Sequence, residues 1–451
     1  MTPKGSSEIS DAKSKPSSDA RESPSCIACD NEAHNVTSES VFPSIDGGRH
    51  AWLFLLASAV LEALVWGFAF SFGIFQRYYS AHEPFKGSSN IAVIGTCAMG
   101  LAYLIAPLPI IGMILMPQIA RWVSTVGVLI MCLSLALSSF SSSVTHLILS
   151  QGIGFGVGGS LAYTPSILFM SDWFVKRKGL AFGVVWAGSG LSGIIFPLII
   201  QWLLDQYGVQ ATLRISAIAL FVLSLPFLYF HRPRLPASYY VRQHRLNFNF
   251  LYSRVYLVYQ IGNTMQALGF FLPTIYLPTY AHGMGASEVL SSLTVTLFNI
   301  SSVFGSVMIG FLSDRYHVTR CILLCTVGTT IAVFFIWGFA QNIPSLYVFC
   351  IGYGLLAGGY SSTWSSIAHE IQQANPAADV SVIFPFMETG RGIGNVASGP
   401  LSEALLKTGG GRENITMWGG YGRGYGSIVI WTGITAAVGG ISVVARYMRI
   451  V

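Results

Sequence analysis

Three ionisable residues stand inside long apolar stretches of this 451-residue chain: Glu62, Glu388 and Arg391. A charge at the centre of a bilayer costs at least about 2.5 kcal/mol on insertion scales, so each marks a functional position by default. Glu62 could hold a proton or meet a cationic ligand; the plainer alternative is a protonated glutamate hydrogen-bonded inside a bundle. Glu388, Arg391 and Asn395 are spaced by three and four residues and share a helical face about 60° wide. That face could offer Arg391 to an anion, or Glu388 and Arg391 could simply neutralise each other. Asn263 and Gln266 precede Pro273 and Pro278 in another apolar stretch, which is expected to bend so that freed carbonyls line a cavity. Asn299 is a further polar candidate. Tyr163, Trp186 and Trp364 are weaker ones, since aromatics in apolar segments more often pack than bind.

Catalytic patterns are missing. His369-Glu370 is followed by Gln373 where a zinc-protease helix needs its second His, and Cys26-x-x-Cys29 has no second ligand pair. Gly154-x-Gly156-x-x-Gly159 satisfies a dinucleotide fingerprint but sits inside an apolar run with no preceding strand. No enzyme activity, metal or cofactor is expected.

The elements that must position these residues are helices in lipid. The chain is 52% hydrophobic and 10% charged, against roughly 25% charged in a soluble domain. Twelve runs reach the length of about 20 apolar residues that a spanning helix requires. They predict an all-α polytopic membrane protein with two pseudo-symmetric six-helix bundles. The expected organisation is a disordered polar tail over 1–50, one bundle over 51–230, a linker over 231–251 and a second bundle over 252–451. Alternating the spans places 18 of the 25 Lys and Arg residues on the side of both termini and six on the other, so the termini are expected to be cytoplasmic. The basic balance then needs no nucleic-acid partner. Gly152–Ile167 aligns with Gly352–Ile367 at an offset of 200 with six of sixteen residues identical, and Gly188 and Gly190 correspond to Gly390 and Gly392. Parallel six-helix repeats with a site at their interface are a secondary-transporter pattern.

Three motifs carry a resemblance. Asp46-Gly47-Gly48-Arg49-His50-Ala51-Trp52 resembles a D-G-G-x-x-A-W signature. Trp173-Phe174-Val175-Lys176-Arg177, continuing to Gly183 and Gly188, resembles an aromatic-F-x-x-R signature ahead of a fifth span. Gly310-Phe-Leu-Ser-Asp314-Arg315 resembles a G-x-x-x-D-R loop after an eighth. Together they are similar to the major facilitator superfamily, and within it to fungal-type members of the monocarboxylate-porter branch. The resemblance covers residue 46 to the end. It implies alternating access, with Arg177 and the Asp314-Arg315 pair as gating candidates that bridge helix ends in one state and release in the other. The first half has Met116-Pro117 where its own acidic-basic pair would stand, and the first-span lysine and eighth-span Asp/Arg pair of lactate-type relatives are missing.

The leading expectation is a monomeric secondary transporter of a small carboxylate-bearing or polar metabolite, proton-coupled through Glu62, in the plasma membrane. The alternative is an efflux pump for a larger lipophilic secondary metabolite, favoured by those missing charges; a non-transporting sensor is the remote third. Asn414 is an expected glycosylation site outside, whereas Asn35 lies in the tail.

Overall fold

The computed structural model describes residues 43–86, 88, 90–236, 246–409, 419–422 and 424–449. Asn414, Asn35, Cys26 and Cys29 lie outside them. The described residues hold helices and no strand. Helix α1 runs Gly48–Ala81, α2 Ile91–Leu115, α3 Ala120–Ser138 and α4 Val144–Trp173. Lys178–Phe230 is 53 residues of continuous helix, about 80 Å if straight and far longer than a bilayer needs. Gly208, at φ 72° and ψ 175°, divides it into α5 and α6. Then follow α7 Arg254–Gly283, α8 Val289–Ser313, α9 Val318–Trp337, α10 Ile343–Ala374, α11 Val380–Gly409 and α12 Gly426–Tyr447.

Nine stretches among the described residues are long and apolar enough to cross a membrane. α7 and α11 are outside that nine, and they are the helices that carry Asn263, Gln266, Glu388, Arg391 and Asn395. With Lys178–Phe230 counted as two arms, the set is consistent with twelve spans. Outward side chains such as Leu108, Leu198 and Phe304 are about two-thirds exposed, as a lipid-facing surface requires.

The tail expected over 1–50 ends earlier than its composition implied. α1 starts at Gly48, and Asp46 already accepts three backbone hydrogen bonds described below. Gly48 takes φ +81°, where a Cβ would fall 2.5 Å from Ser44 Oγ, so a glycine is required.

The glycine repeat works by close approach. A Cβ on Gly188 or Gly390 would strike α1 or α7, and one on Gly190 or Gly392 would press on α8 or α2. These two pairs therefore have matching partners in the first and last six helices. The other repeat is less regular: Gly158 packs on α3, whereas Gly358 packs on α8. The dinucleotide-like glycines lie within α4 and its π turn, packed on α1, α2 and α3.

α7 stays continuous through Pro273 and Pro278. The carbonyls near Pro273 meet a neighbouring helix: Tyr353 of α10 donates toward those of Phe270 (3.2 Å) and Gly269 (3.5 Å). A neighbouring helix has supplied the donor that proline removes.

His231, just past α6, is 2% exposed. Its Nδ1 and Nε2 lie 3.0 and 2.8 Å from the hydroxyls of Ser124 and Ser166, and its ring stacks on Phe54. Hydroxyls donate or accept, so they satisfy both nitrogens of a neutral ring. Burial pushes the imidazole down to about 3. A lowered folded pKa gives stability that is complete above the unfolded value near 6.5 and lost as pH falls toward the folded one. Thermal unfolding of the detergent-solubilised protein should therefore lose about 1.4 kcal/mol per pH unit below about 6 through this residue. His231→Gln should flatten that slope; an unchanged slope would assign it to other groups.

Candidate functional site

The buried charges meet where α1, α2, α4, α7, α10 and α11 come together. Glu62 of α1 is 1% exposed, and its Oε1 has no hydrogen-bond partner. One turn on, Trp66 stacks on Tyr103 of α2, with ring centroids 4.3 Å apart, and lies 6.0 Å from Tyr163 of α4. Tyr163 reaches across to α11, its hydroxyl 3.0 Å from Glu388 Oε2 and 3.3 Å from the Ala102 carbonyl. A hydroxyl has one proton, so it cannot serve both acceptors fully. A carboxyl that carries a proton can donate to Tyr163 while Tyr163 donates to Ala102. Glu388 Oε1 is unpartnered, and Glu62 and Glu388 feel each other's charge.

Arg391 does not pair with Glu388. Its guanidinium turns to α7 and α10, with Nη1 donating to Gln266 Oε1 at 3.2 Å. Its ζ carbon lies 4.3, 5.5 and 5.7 Å from the rings of Phe270, Phe271 and Trp364. Asn395 is buried with Nδ2 unpartnered. Asn263 donates to the Met387 carbonyl at 2.6 Å and accepts from Trp364 Nε1 at 3.0 Å, tying α7 to α11 and α10. A 3-10 turn, Gly358–Thr363, immediately precedes Trp364 and re-aims that part of α10. Trp186 of α5 meets Trp364 edge-on at 5.5 Å. Asn299 lies apart from the charges; its Nδ2 donates to Gly193 O at 3.2 Å, between α8 and α5.

The three sequence motifs meet at one end of the bundle, around the N-terminus of α5. Asp46 carboxylate oxygens accept from the amides of Val175, Lys176 and Arg177 at 3.0–3.1 Å, and Trp52 packs edge-on against Phe174. From the other six helices, Asp314 accepts from Gly179 N at 2.6 Å and Leu180 N at 2.8 Å. The bridge expected between a carboxylate and an arginine is thus a bridge to backbone amides. Arg315, just past the end of α8, lies over Phe311 of that helix at 4.2 Å. Around the clamp, Gly310 abuts Gly179, Gly183 abuts Ser306, Phe182 stacks on Phe384 at 4.5 Å, and Ser381 donates to Ser171 at 3.3 Å. Burial raises the Asp314 carboxyl above its usual value, against the two amide bonds that lower it.

A separate cleft of about 290 Å³, lined by Tyr78, Glu83 and Tyr207 among others, shares no residue with the central cluster.

The sequence model of the Major Facilitator Superfamily matches residues 54–399, and again 259–450. The chain belongs to the Major Facilitator Superfamily. It is thus an integral multi-pass transporter acting on small molecules. MFS transporter asaE of Aspergillus flavus is 27% identical over 81% of this chain and 82% of its own. Agnestins efflux protein AgnL12 of Paecilomyces divaricatus is 28% identical over 80% and 82%. Among solved structures, the human organic anion transporter MFSD10 superposes with a TM-score of 0.65 at 14% identity, over 87% of this chain and 99% of that one.

Residues without a signal of their own in the sequence surround the candidate site. Trp66, Tyr103, Phe270, Phe271 and Tyr353 wall the charges, yet aromatics in spans are too common to stand out. A spacing of four residues between Glu62 and Trp66 was a signal that could have found one of them.

Proposed function

We propose that this transporter exports a lipophilic, ring-bearing metabolite, the bundles over 51–230 and 252–451 rocking about the central cluster. The observation that carries the reading is the wall of that cluster: Trp66, Tyr103, Tyr163, Trp186, Phe270 and Trp364 surround only three charges. Such walls suit a large apolar ligand with few polar groups better than a small hydrophilic acid. A relative of 28% identity is an efflux protein by name, which supports the same direction. The D-G-G-x-x-A-W and aromatic-F-x-x-R motifs support a place beside the monocarboxylate-porter branch, with altered cargo.

Asp314 is the gate. Its clamp on α5 joins the two bundles at the end expected to be cytoplasmic, and transport requires its release. Glu62 and Glu388, one on each bundle, couple the cycle to protons. With the termini cytoplasmic in the plasma membrane, inside-out vesicles should accumulate a lipophilic aromatic solute when their lumen is acidified. A panel of such solutes, with and without protonophore, decides. Movement of none of them under any gradient would defeat the reading, and selective uptake of small hydrophilic acids would return it to the monocarboxylate type.

A further inference from the structure

We propose that Arg391, with the rings of Phe270, Phe271 and Trp364, reads a planar oxyanion: the arenecarboxylate, phenolate or ring-enolate head of the exported metabolite. The inference rests on the export reading and names the ligand class of its site.

Arg391 is 4% exposed, and among the described residues no carboxylate lies within ion-pairing distance. Its acceptors are neutral: the Gln266 amide oxygen at 3.2 Å and the Tyr103 hydroxyl within reach. Its Nε is left without one. A buried cation served only by neutral acceptors is incompletely compensated, so an incoming anion gains where a neutral solute does not.

Hydrogen-bond supply around Trp364 points the same way. Arg391 Nε, Asn395 Nδ2 one turn along α11, and Trp186 Nε1 beside Trp364 are all buried donors lacking acceptors. Three surplus donors call for a ligand that brings acceptors to this side of the cluster, as an oxyanion does.

The rings set the shape. They lie within cation–π distance of the guanidinium, so an anion on Arg391 meets aromatic surface beside the charge. An oxyanion conjugated to a flat ring continues its plane among Phe270, Phe271 and Trp364 and stacks there. A saturated acid presents the same charge without that surface. Glu388 makes no ion pair with the arginine in this arrangement, and its Oε2 is turned to Tyr163.

The test uses the full chain in detergent and three probes: 2-naphthoate, its methyl ester, and decalin-2-carboxylate. Equilibrium dialysis should show 2-naphthoate bound at least about tenfold tighter than its ester, the loss expected for one charge-assisted contact, and tighter than decalin-2-carboxylate, which keeps the charge but lacks the flat ring that stacks. Arg391→Gln should bring naphthoate down to the level of its ester. Arg391→Lys should keep the preference for acid over ester but lose the preference for flat over saturated. Phe270→Leu, which leaves the charge in place, should keep the preference for acid over ester and weaken that for flat over saturated, and it tests the proposal should Arg391→Gln fail to elute as a folded species. Equal binding of acid and ester by the unaltered protein, binding of no probe, or naphthoate binding unchanged in folded Arg391→Gln would each overturn the proposal. Vesicles separate the two readings: export by the unaltered protein of aromatic solutes with no preference for anion over neutral ester, and the same export by Arg391→Gln, sinks this inference alone. Arg391-dependent naphthoate binding without export of any solute sinks only the export reading.

Discussion

Asp314→Asn should unlatch the end of the bundle where α5 meets α8. The carboxylate accepts two short bonds from α5 amides at the positive end of a helix dipole, and the amide side chain keeps a single neutral acceptor. Charge-assisted bonds are each worth roughly 1.5–3 kcal/mol, so the closed arrangement should lose about 2–4 kcal/mol, a shift of roughly 30-fold to 1,000-fold in population. A cysteine introduced as Ser171→Cys, against Ser381, in a background without the native cysteines, reports the change through its labelling rate by a membrane-impermeant thiol reagent. Labelling should rise and export should fall at least about tenfold. Because burial raises the Asp314 carboxyl, lowering pH on that side protonates it and should mimic the substitution, while the Asn variant no longer responds. Asp46→Asn is the control. Asp46 binds the same helix start from within the first six helices, so its loss should lower thermal stability without raising Ser171→Cys labelling. Equal labelling in Asp314→Asn and its parent would remove Asp314 as the gate.

Glu388→Gln is expected to abolish pH-driven accumulation while leaving downhill exchange. Glutamine preserves an oxygen for Tyr163 and removes the carboxyl proton. Accumulation against a gradient should drop at least about tenfold, with little remaining pH dependence. Glu62→Gln should do the same, and the double variant should be no worse than either. Groups that act as a unit are non-additive, and these two carboxylates interact electrostatically from opposite sides of the interface. Independent, multiplying losses would mean that they serve separate steps. A Glu388→Gln transporter with unaltered pH response would exclude it from coupling.

Much of this was legible in the sequence because charge is scarce in it. The spans, the glycine contacts of α5 and α11, and the burial of Glu62, Glu388, Arg391 and Asn395 follow from length, residue size and position alone. What Glu388 and Arg391 touch does not. Spacing of three residues permits an internal pair, but Tyr163 comes from 225 residues away and Gln266 from 125, and only tertiary packing decides which partner wins. The Asp314 clamp was half visible: the aspartate stands in a motif, yet its partners are main-chain amides, which leave no side-chain signature. Pro273 raised the expectation of bare carbonyls, and Tyr353, some 80 residues on, answers them. Reading single segments cannot show what a distant helix supplies.

The amide side of the Asp314 clamp has an evolutionary consequence. A latch between two side chains can be broken by mutation at either, whereas here one partner is encoded by every amino acid except proline. Gly179 is constrained by crowding against Gly310 and Ser313, but Leu180 supplies its N–H whatever side chain it bears. The burden of keeping the clamp thus falls on one aspartate and a tight glycine contact. The rings and charges of the central cluster are not part of the clamp, so they can change without altering it.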